Sequence, residues 1–289
     1  MSQPIDMFLT VIKNSDYYSH YDFNGKSVIV YDDHRFIVPI LWLAKSIGMI
    51  KCPLNMVYFD QHHDANDQKE DRDEKFKAAI KILKKTKSFE EAFEITQNGG
   101  IRKSNDTWLK VLMDLAIVKD AVLIGGNANS DFKKYIEEGY VDVDEKTHQF
   151  KNIGMLKGVF DSKKILGNNY HEELFKPTRD IIGWYLGSKG RTATMNKEPI
   201  LLDFDLDYFT FYCSRGHYIW DERFYHDEFD VISNYHTTAG WSGKKFLNKL
   251  IQRAPFITIA REPTFCGGKE KTDNILNKLS EKFFNGRIS

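Results

Sequence analysis

The sequence predicts an α/β protein of three layers, with helices on both sides of a central, mainly parallel sheet. Two observations lead there. Five short β-branched runs each end in glycine or acidic residues, as parallel strands buried on both faces do. The stretches between them carry apolar residues at helical spacing. A third observation bears on organisation: no repeat, low-complexity linker or Pro/Gly-rich boundary interrupts the chain, so residues 1–289 are expected to form a single catalytic domain.

The predicted strands are "KSVIVYDDH" (26–34), "NMVYFDQHHD" (55–64), "AVLIGG" (121–126), "PILLDFDLD" (199–207) and "FITIARE" (256–262). Of the predicted helices, "RFIVPILWLAKSIG" closes at Gly48, and "EKFKAAIKILKKTK" follows the second strand. "SNDTWLKVLMDLAIV" opens on a Ser104 or Asn105 cap. "KKFLNKLIQ" and "TDNILNKLSEKFF" complete the set, the last capped by Thr272 or Asp273. Residues 205–229 break the alternation, because their dense aromatics keep neither a period of two nor one of 3.6. They read as a long ordered loop, either packing over the sheet edge or walling a substrate with apolar bulk.

Composition removes several classes of function. Lys+Arg and Asp+Glu both number 41, so no net field draws in nucleic acid or an anionic membrane. The opening "MSQPIDMF" lacks the basic and apolar regions of a secretory leader, and no stretch approaches the roughly 20 apolar residues of a membrane helix. A cytoplasmic location is expected. Cys52, Cys213 and Cys266 are odd in number and widely separated, and so read as reduced bystanders.

The chemistry concentrates at strand ends, where open α/β sheets bind their ligands. Asp60, His62 and Asp64 are spaced by two, so an extended chain points all three to one side. Asp203 and Asp205 repeat that spacing with Asp207 beyond them, and His34 ends a third strand. Six oxygen and nitrogen donors converge from three strands, and the four carboxylates among them repel one another unless cations neutralise them. Any one aspartate taken alone is more simply a turn or cap residue. The joint pattern, free of thiolate, suits manganese or a similar borderline metal, and the number of ligands points to two ions.

These residues resemble the ureohydrolase superfamily, which contains arginase and agmatinase and shares its fold with the histone deacetylases. The family's DAHxDxN motif is matched by "DQHHDAN", which supplies Asp60, His62, Asp64 and Asn66 in register. Its SFDxDxxDP motif appears weakened as "LLDFDLDYF", and GGDHS as "YDDHR", which keeps the histidine and loses the glycines. The resemblance implies a sheet of about eight strands and two Mn²⁺ per chain. One ion would be held by His34, Asp60, Asp64 and Asp203, the other by Asp60, His62, Asp203 and Asp205, with Asp60 and Asp203 bridging. Asp64 would also accept a proton from the attacking water, Asn66 and Glu262 would bind substrate, the Glu262 carboxylate accepting from the substrate's guanidinium, and Asp207 would support Asp205.

The chain departs from arginases in two ways. No histidine lies between Asp67 and Gln97, and the loops that hold a free amino acid's backbone cannot be matched beyond Asn66. Both departures resemble the peptide arginases of ribosomal-peptide modification pathways, which convert arginine side chains to ornithine with release of urea. The partner implied is an arginine-containing precursor peptide, and a homo-oligomer stays open. Three rival expectations stand beside this one. They are a ureohydrolase of free arginine or another guanidine, a one-zinc deacetylase using Asp60, His62 and Asp203, and a non-catalytic metal-binding protein.

Overall fold

The structure, a computed structural model, describes residues 3–62, 70–98, 101, 107–125, 138–143, 146–152, 199–213, 216–230 and 242–289. Helix α1 (Gln3–Lys13) leads into strands β1 (Tyr18–Phe23) and β2 (Lys26–Tyr31), followed by helix α2 (Ile37–Ser46) and β3 (Leu54–Asp60). Helices α3 (Glu70–Leu83), α4 (Phe89–Asn98) and α5 (Trp108–Asp114) precede β4 (Val118–Gly125), β5 (Glu138–Val143) and β6 (Lys146–Asn152). After β7 (Ile200–Asp205) comes a hairpin of β8 (Thr210–Cys213) and β9 (Gly216–Ile219), and then α6 (Gly243–Arg253), β10 (Phe256–Ala260) and α7 (Lys269–Phe283).

One eight-stranded sheet runs in the order β1-β2-β10-β7-β3-β4-β6-β5. The six strands from β2 to β6 are parallel, and β1 and β5 pair antiparallel at the two edges. Its faces are covered separately, which makes the three layers. Ile29, Met56, Tyr58, Leu123 and Leu201 pack on one face against α1, α2 and α5. Val30, Val57, Phe59, Ile124 and Phe204 pack on the other against α6 and α7. Burial on both faces is why the five apolar runs were readable as strands.

Several boundaries differ from the sequence reading. The strand β2 stops at Tyr31, so His34 opens a 3₁₀ turn instead of ending the strand. Likewise β3 stops at Asp60, and Asp207 lies in a 3₁₀ turn (Leu206–Phe209) past the end of β7. The last helix starts at Lys269, behind Gly268, so Thr272 sits within it, its hydroxyl donating to the Gly268 carbonyl (3.0 Å). The cap of α5 is Thr107, while Ser104 and Asn105 lie outside the described residues.

The aromatic segment is mostly core. Phe209, Trp220, Tyr225 and Phe229 are buried against the sheet, with Phe209 stacked on Tyr225 (5.7 Å between ring centres) and on edge to Trp220 (5.3 Å). Phe209→Ala is therefore expected to cost about 3–5 kcal/mol of stability, the usual cost of emptying a buried aromatic site. Thermal unfolding reads it, and a loss below 1 kcal/mol would show the segment packs loosely.

Candidate metal centre

Asp60 and Asp205 each end a strand, Asp33 lies two residues past the end of β2, and all three turn the chain. The Asp60 Oδ1 accepts the His62 N–H (2.6 Å), the Asp205 Oδ1 accepts the Asp207 N–H (2.9 Å), and the Asp33 Oδ1 accepts the Arg35 N–H (3.0 Å). This is ordinary aspartate turn chemistry. For Asp60 and Asp205 it uses one oxygen and leaves the other aimed at a common centre. Register brings the strands level: Asp203 pairs with Tyr58 on β3 and with Thr258 on β10, while Asp205 pairs with Ala260. Asp203 and Asp205 thus project from the same face as Asp60.

His34 lies at the middle, fully buried. Its Nδ1 is 2.9 Å from the Asp205 Oδ2 and 3.7 Å from the Asp60 Oδ2, and its Nε2 is 2.8 Å from the Asp203 Oδ2. The Trp108 ring of α5 lies against the imidazole, 4.5 Å between centres, and holds its plane. On the other side of Asp60, the His62 Nδ1 is 3.5 Å from the Asp60 Oδ1 and 2.9 Å from the Asp207 Oδ2. Among the described residues, two side-chain groups are close enough to hold a metal: His34, Asp205 and Glu262, and Asp60, His62 and Asp207.

Glu262 enters from the end of β10 with a left-handed backbone (φ 44°), unusual for a glutamate. Its amide donates to the Asp32 carbonyl (3.0 Å), its carbonyl accepts from Cys266 (2.9 Å), and its Oε1 accepts the His34 N–H (2.5 Å). A strained conformation held by three bonds fits a residue fixed for function. Gly125 shows how tightly β4 lies against the same place, because a β-carbon there would lie 2.1 Å from the Asp60 carbonyl oxygen.

Sequence reading did not anticipate Gln61. Its amide N–H donates to the Asp207 Oδ1 (3.2 Å), and its side-chain nitrogen lies 2.7 Å from the carbonyls of Asp207 and Thr210. It ties the turn after β3 to the turn after β7. Of the sequence-predicted residues, the structure brings together His34, Asp60, His62, Asp203, Asp205, Asp207 and Glu262. Asp64 and Asn66 lie outside the described residues.

The electrostatics show what the cluster is suited to hold. Burial pushes the Asp60 carboxyl up to about 7, with Asp207 and Asp205 adding to the rise. Burial likewise pushes Asp205 well above the usual carboxylate range and Glu262 up to about 8. The carboxylates of Asp207 and Asp60 hold His62 up to about 12, and those of Asp203 and Asp205 outweigh the burial of His34 and hold it well above the usual histidine range. Among the described residues, the buried Asp60 Oδ2 has no hydrogen-bond partner. A buried carboxylate oxygen with no donor, among like charges, is suited to a cation. Oxygen and imidazole donors without thiolate fit Mn²⁺.

The same groups set a pH dependence. A divalent ion must displace the protons held by Asp60 and by the His62 imidazolium, so binding releases protons and tightens as pH rises. Each proton released contributes on the order of tenfold per pH unit. Manganese affinity is thus expected to rise by about 10²-fold or more from pH 6 to pH 8. Titration calorimetry in buffers of different ionisation enthalpy would detect it, and a pH-independent affinity would contradict the assignment.

Cys266 is buried, burial pushes its thiol up, and it donates to the Arg261 carbonyl (3.2 Å), which suits a structural thiol. No described helix is long and apolar enough to cross a membrane.

Comparisons with known proteins add little. No family model matches the chain, and no curated protein matches it. Among solved structures, the arginase of Helicobacter pylori is similar over 99% of this chain and 78% of its own, at 10% identity and a TM-score of 0.35. At that level of likeness the chemistry of this chain rests on its own residues.

Proposed function

We propose that the chain is a dinuclear-metal hydrolase that converts arginine side chains of a peptide to ornithine with release of urea. The observation that carries the metal centre is the placement of Asp60. One of its oxygens faces His62 and the other faces His34, so a single buried carboxylate touches both metal-binding groups. Such a carboxylate would be shared by the two ions those groups would hold. The guanidine substrate is supported by the DQHHDAN motif, and its peptide context by backbone-binding loops that the sequence does not match beyond Asn66.

Divalent ions bound there supply Lewis acidity, which lowers the pKa of a water from about 15.7 towards neutrality. The chain's own residues do the rest. Glu262, held by the backbone of His34, offers a carboxylate to the guanidinium and fixes its carbon over the cluster. Asp64, carried over from the resemblance, accepts the proton that the water loses. The water oxygen bonds to the guanidinium carbon, the bond from that carbon to the side-chain nitrogen breaks, and that nitrogen leaves protonated as the ornithine amine. Asn66 is assigned to substrate binding on the same basis. The fully buried His34 and Asp60 keep bulk water from the inner wall, and the half-exposed His62 marks the open side.

The test is incubation with manganese and arginine, free and within peptides, followed by mass spectrometry and a urea assay. Ornithine formed in the peptide with release of urea is the expected result. Turnover of free arginine alone would move the substrate assignment, and release of acetate from acetyl-lysine peptides would replace it.

A further inference from the structure

We propose that Phe265 is a specificity-determining residue, whose ring stacks on the guanidinium of the arginine side chain that Glu262 holds. The inference rests on the guanidine reading above and adds to it the means by which a planar cation is told from a neutral side chain of the same shape.

Phe265 stands on the open side of the cluster. Its ring centre is 6.1 Å from that of His62, with 63° between the planes, so the half-exposed imidazole has an aromatic ring at its flank. The next residue, Cys266, is fully buried, yet Phe265 is 37% exposed. A scattered exposed apolar side chain is common on any protein and by itself calls for no ligand. The position of this one is what marks it: three residues after the buried Glu262, and beside the side chain through which the cluster opens to solvent.

The backbone presents the ring on a stiff frame. The Glu262 carbonyl accepts from the N–H groups of both Phe265 (3.0 Å) and Cys266 (2.9 Å), and the Pro263 carbonyl accepts the Gly268 N–H (2.7 Å). The Cys266 thiol ties the turn inward through the Arg261 carbonyl. The β8–β9 hairpin closes in from outside: a β-carbon on Gly267, whose φ of 82° is left-handed, would lie 2.7 Å from the His217 β-carbon, and the Lys271 ammonium donates to the His217 carbonyl (2.6 Å). One turn thus carries a buried carboxylate and a partly bare ring, and binding need not order either of them. The acidic cluster favours a cation, and a ring face attracts one through its quadrupole. A guanidinium uses both at once, because its edge pairs with a carboxylate while its flat face lies on the ring. A neutral urea group of the same shape gains nothing from the charge of the cluster or from the quadrupole of the ring.

Two variants test this, since Phe265→Leu keeps an apolar side chain without the ring face and Phe265→Tyr keeps both. Binding is read by fluorescence polarisation at pH 8, on protein stripped of metal by chelator so that nothing is turned over. The probes are a dye-labelled arginine peptide and the same peptide with citrulline, the neutral isostere, in place of arginine. Relative to wild type, Phe265→Leu is expected to weaken the arginine peptide by about 3–30-fold and the citrulline peptide by less than about twofold, while Phe265→Tyr stays within about twofold for both. The role of Phe265 is overturned if leucine leaves arginine-peptide binding unchanged, if it weakens both peptides equally, if tyrosine loses as much as leucine, or if the wild type binds neither peptide. Circular dichroism excludes misfolding. A urea assay of the manganese-loaded wild type on the same arginine peptide tests the hydrolase reading separately. Binding that depends on Phe265 with no urea released would overturn that reading and leave the role of the ring standing, and urea released with no such dependence would do the reverse.

Discussion

Asp60→Asn is expected to abolish dinuclear manganese binding and to lower turnover of arginine peptides by about 10³-fold or more, because transition-state stabilisation by bound metal amounts to several kcal/mol. The Asp60 side chain reaches both His34 and His62, so its charge would serve both ions. The same substitution should make the metal-free protein more stable at pH 8. Burial raises the folded-state pKa of Asp60 to about 7, above its unfolded value. The stability linked to it is therefore complete below the unfolded pKa and is lost as pH rises through about 7. Asparagine carries no such charge and keeps an acceptor for the His62 N–H. In the absence of metal the variant should melt above the wild type at pH 8, with the gap closing towards pH 5. A variant less stable at both values would mean that Asp60 is held by contacts and not strained by charge.

Glu262→Gln is expected to lower kcat/KM for arginine peptides by about 10–150-fold, the worth of a charge-assisted hydrogen bond, while leaving manganese content unchanged. Glutamine keeps an oxygen for the His34 N–H, so the left-handed turn at the end of β10 should persist. Metal analysis beside the kinetics separates two roles, since Glu262 also lies within reach of His34 and Asp205. Loss of an ion in this variant would make Glu262 a ligand in place of a guanidinium partner.

Much of the fold was legible because parallel strands buried on both faces need unbroken β-branched runs, and β2, β3, β4, β7 and β10 have them. Gly48, with its left-handed φ, closed α2 where its sequence indicated. The edge strand β1 and the strand β6, one in from the other edge, were not legible. Tyr18–Phe23 reads "YSHYDF", and "KTHQFKN" of β6 is as polar, so neither offers an apolar run, and pairing with a neighbour decides them. The hairpin hidden in the aromatic segment failed to show for a related reason. Its neighbouring rings serve the core, and their spacing follows three-dimensional packing in place of a helix or strand period.

In the candidate site, the meeting of His34, Asp60, His62, Asp203 and Asp205 followed from acidic residues at the ends of adjacent strands. The place of Asp207 could not be read, because alternation by two holds only while the chain stays extended. The chain turns at Leu206, and Asp207 swings to His62. Gln61 was equally silent in the sequence, a polar residue between two stronger ligands, and only the register of β3 against β7 reveals that it joins their turns.

The most direct measurement is the metal content of protein purified without chelator and equilibrated with manganese, read by inductively coupled plasma mass spectrometry. Two manganese ions per chain are expected. A chain that stays empty, or holds a single zinc ion, would contradict a paired-metal centre built around Asp60.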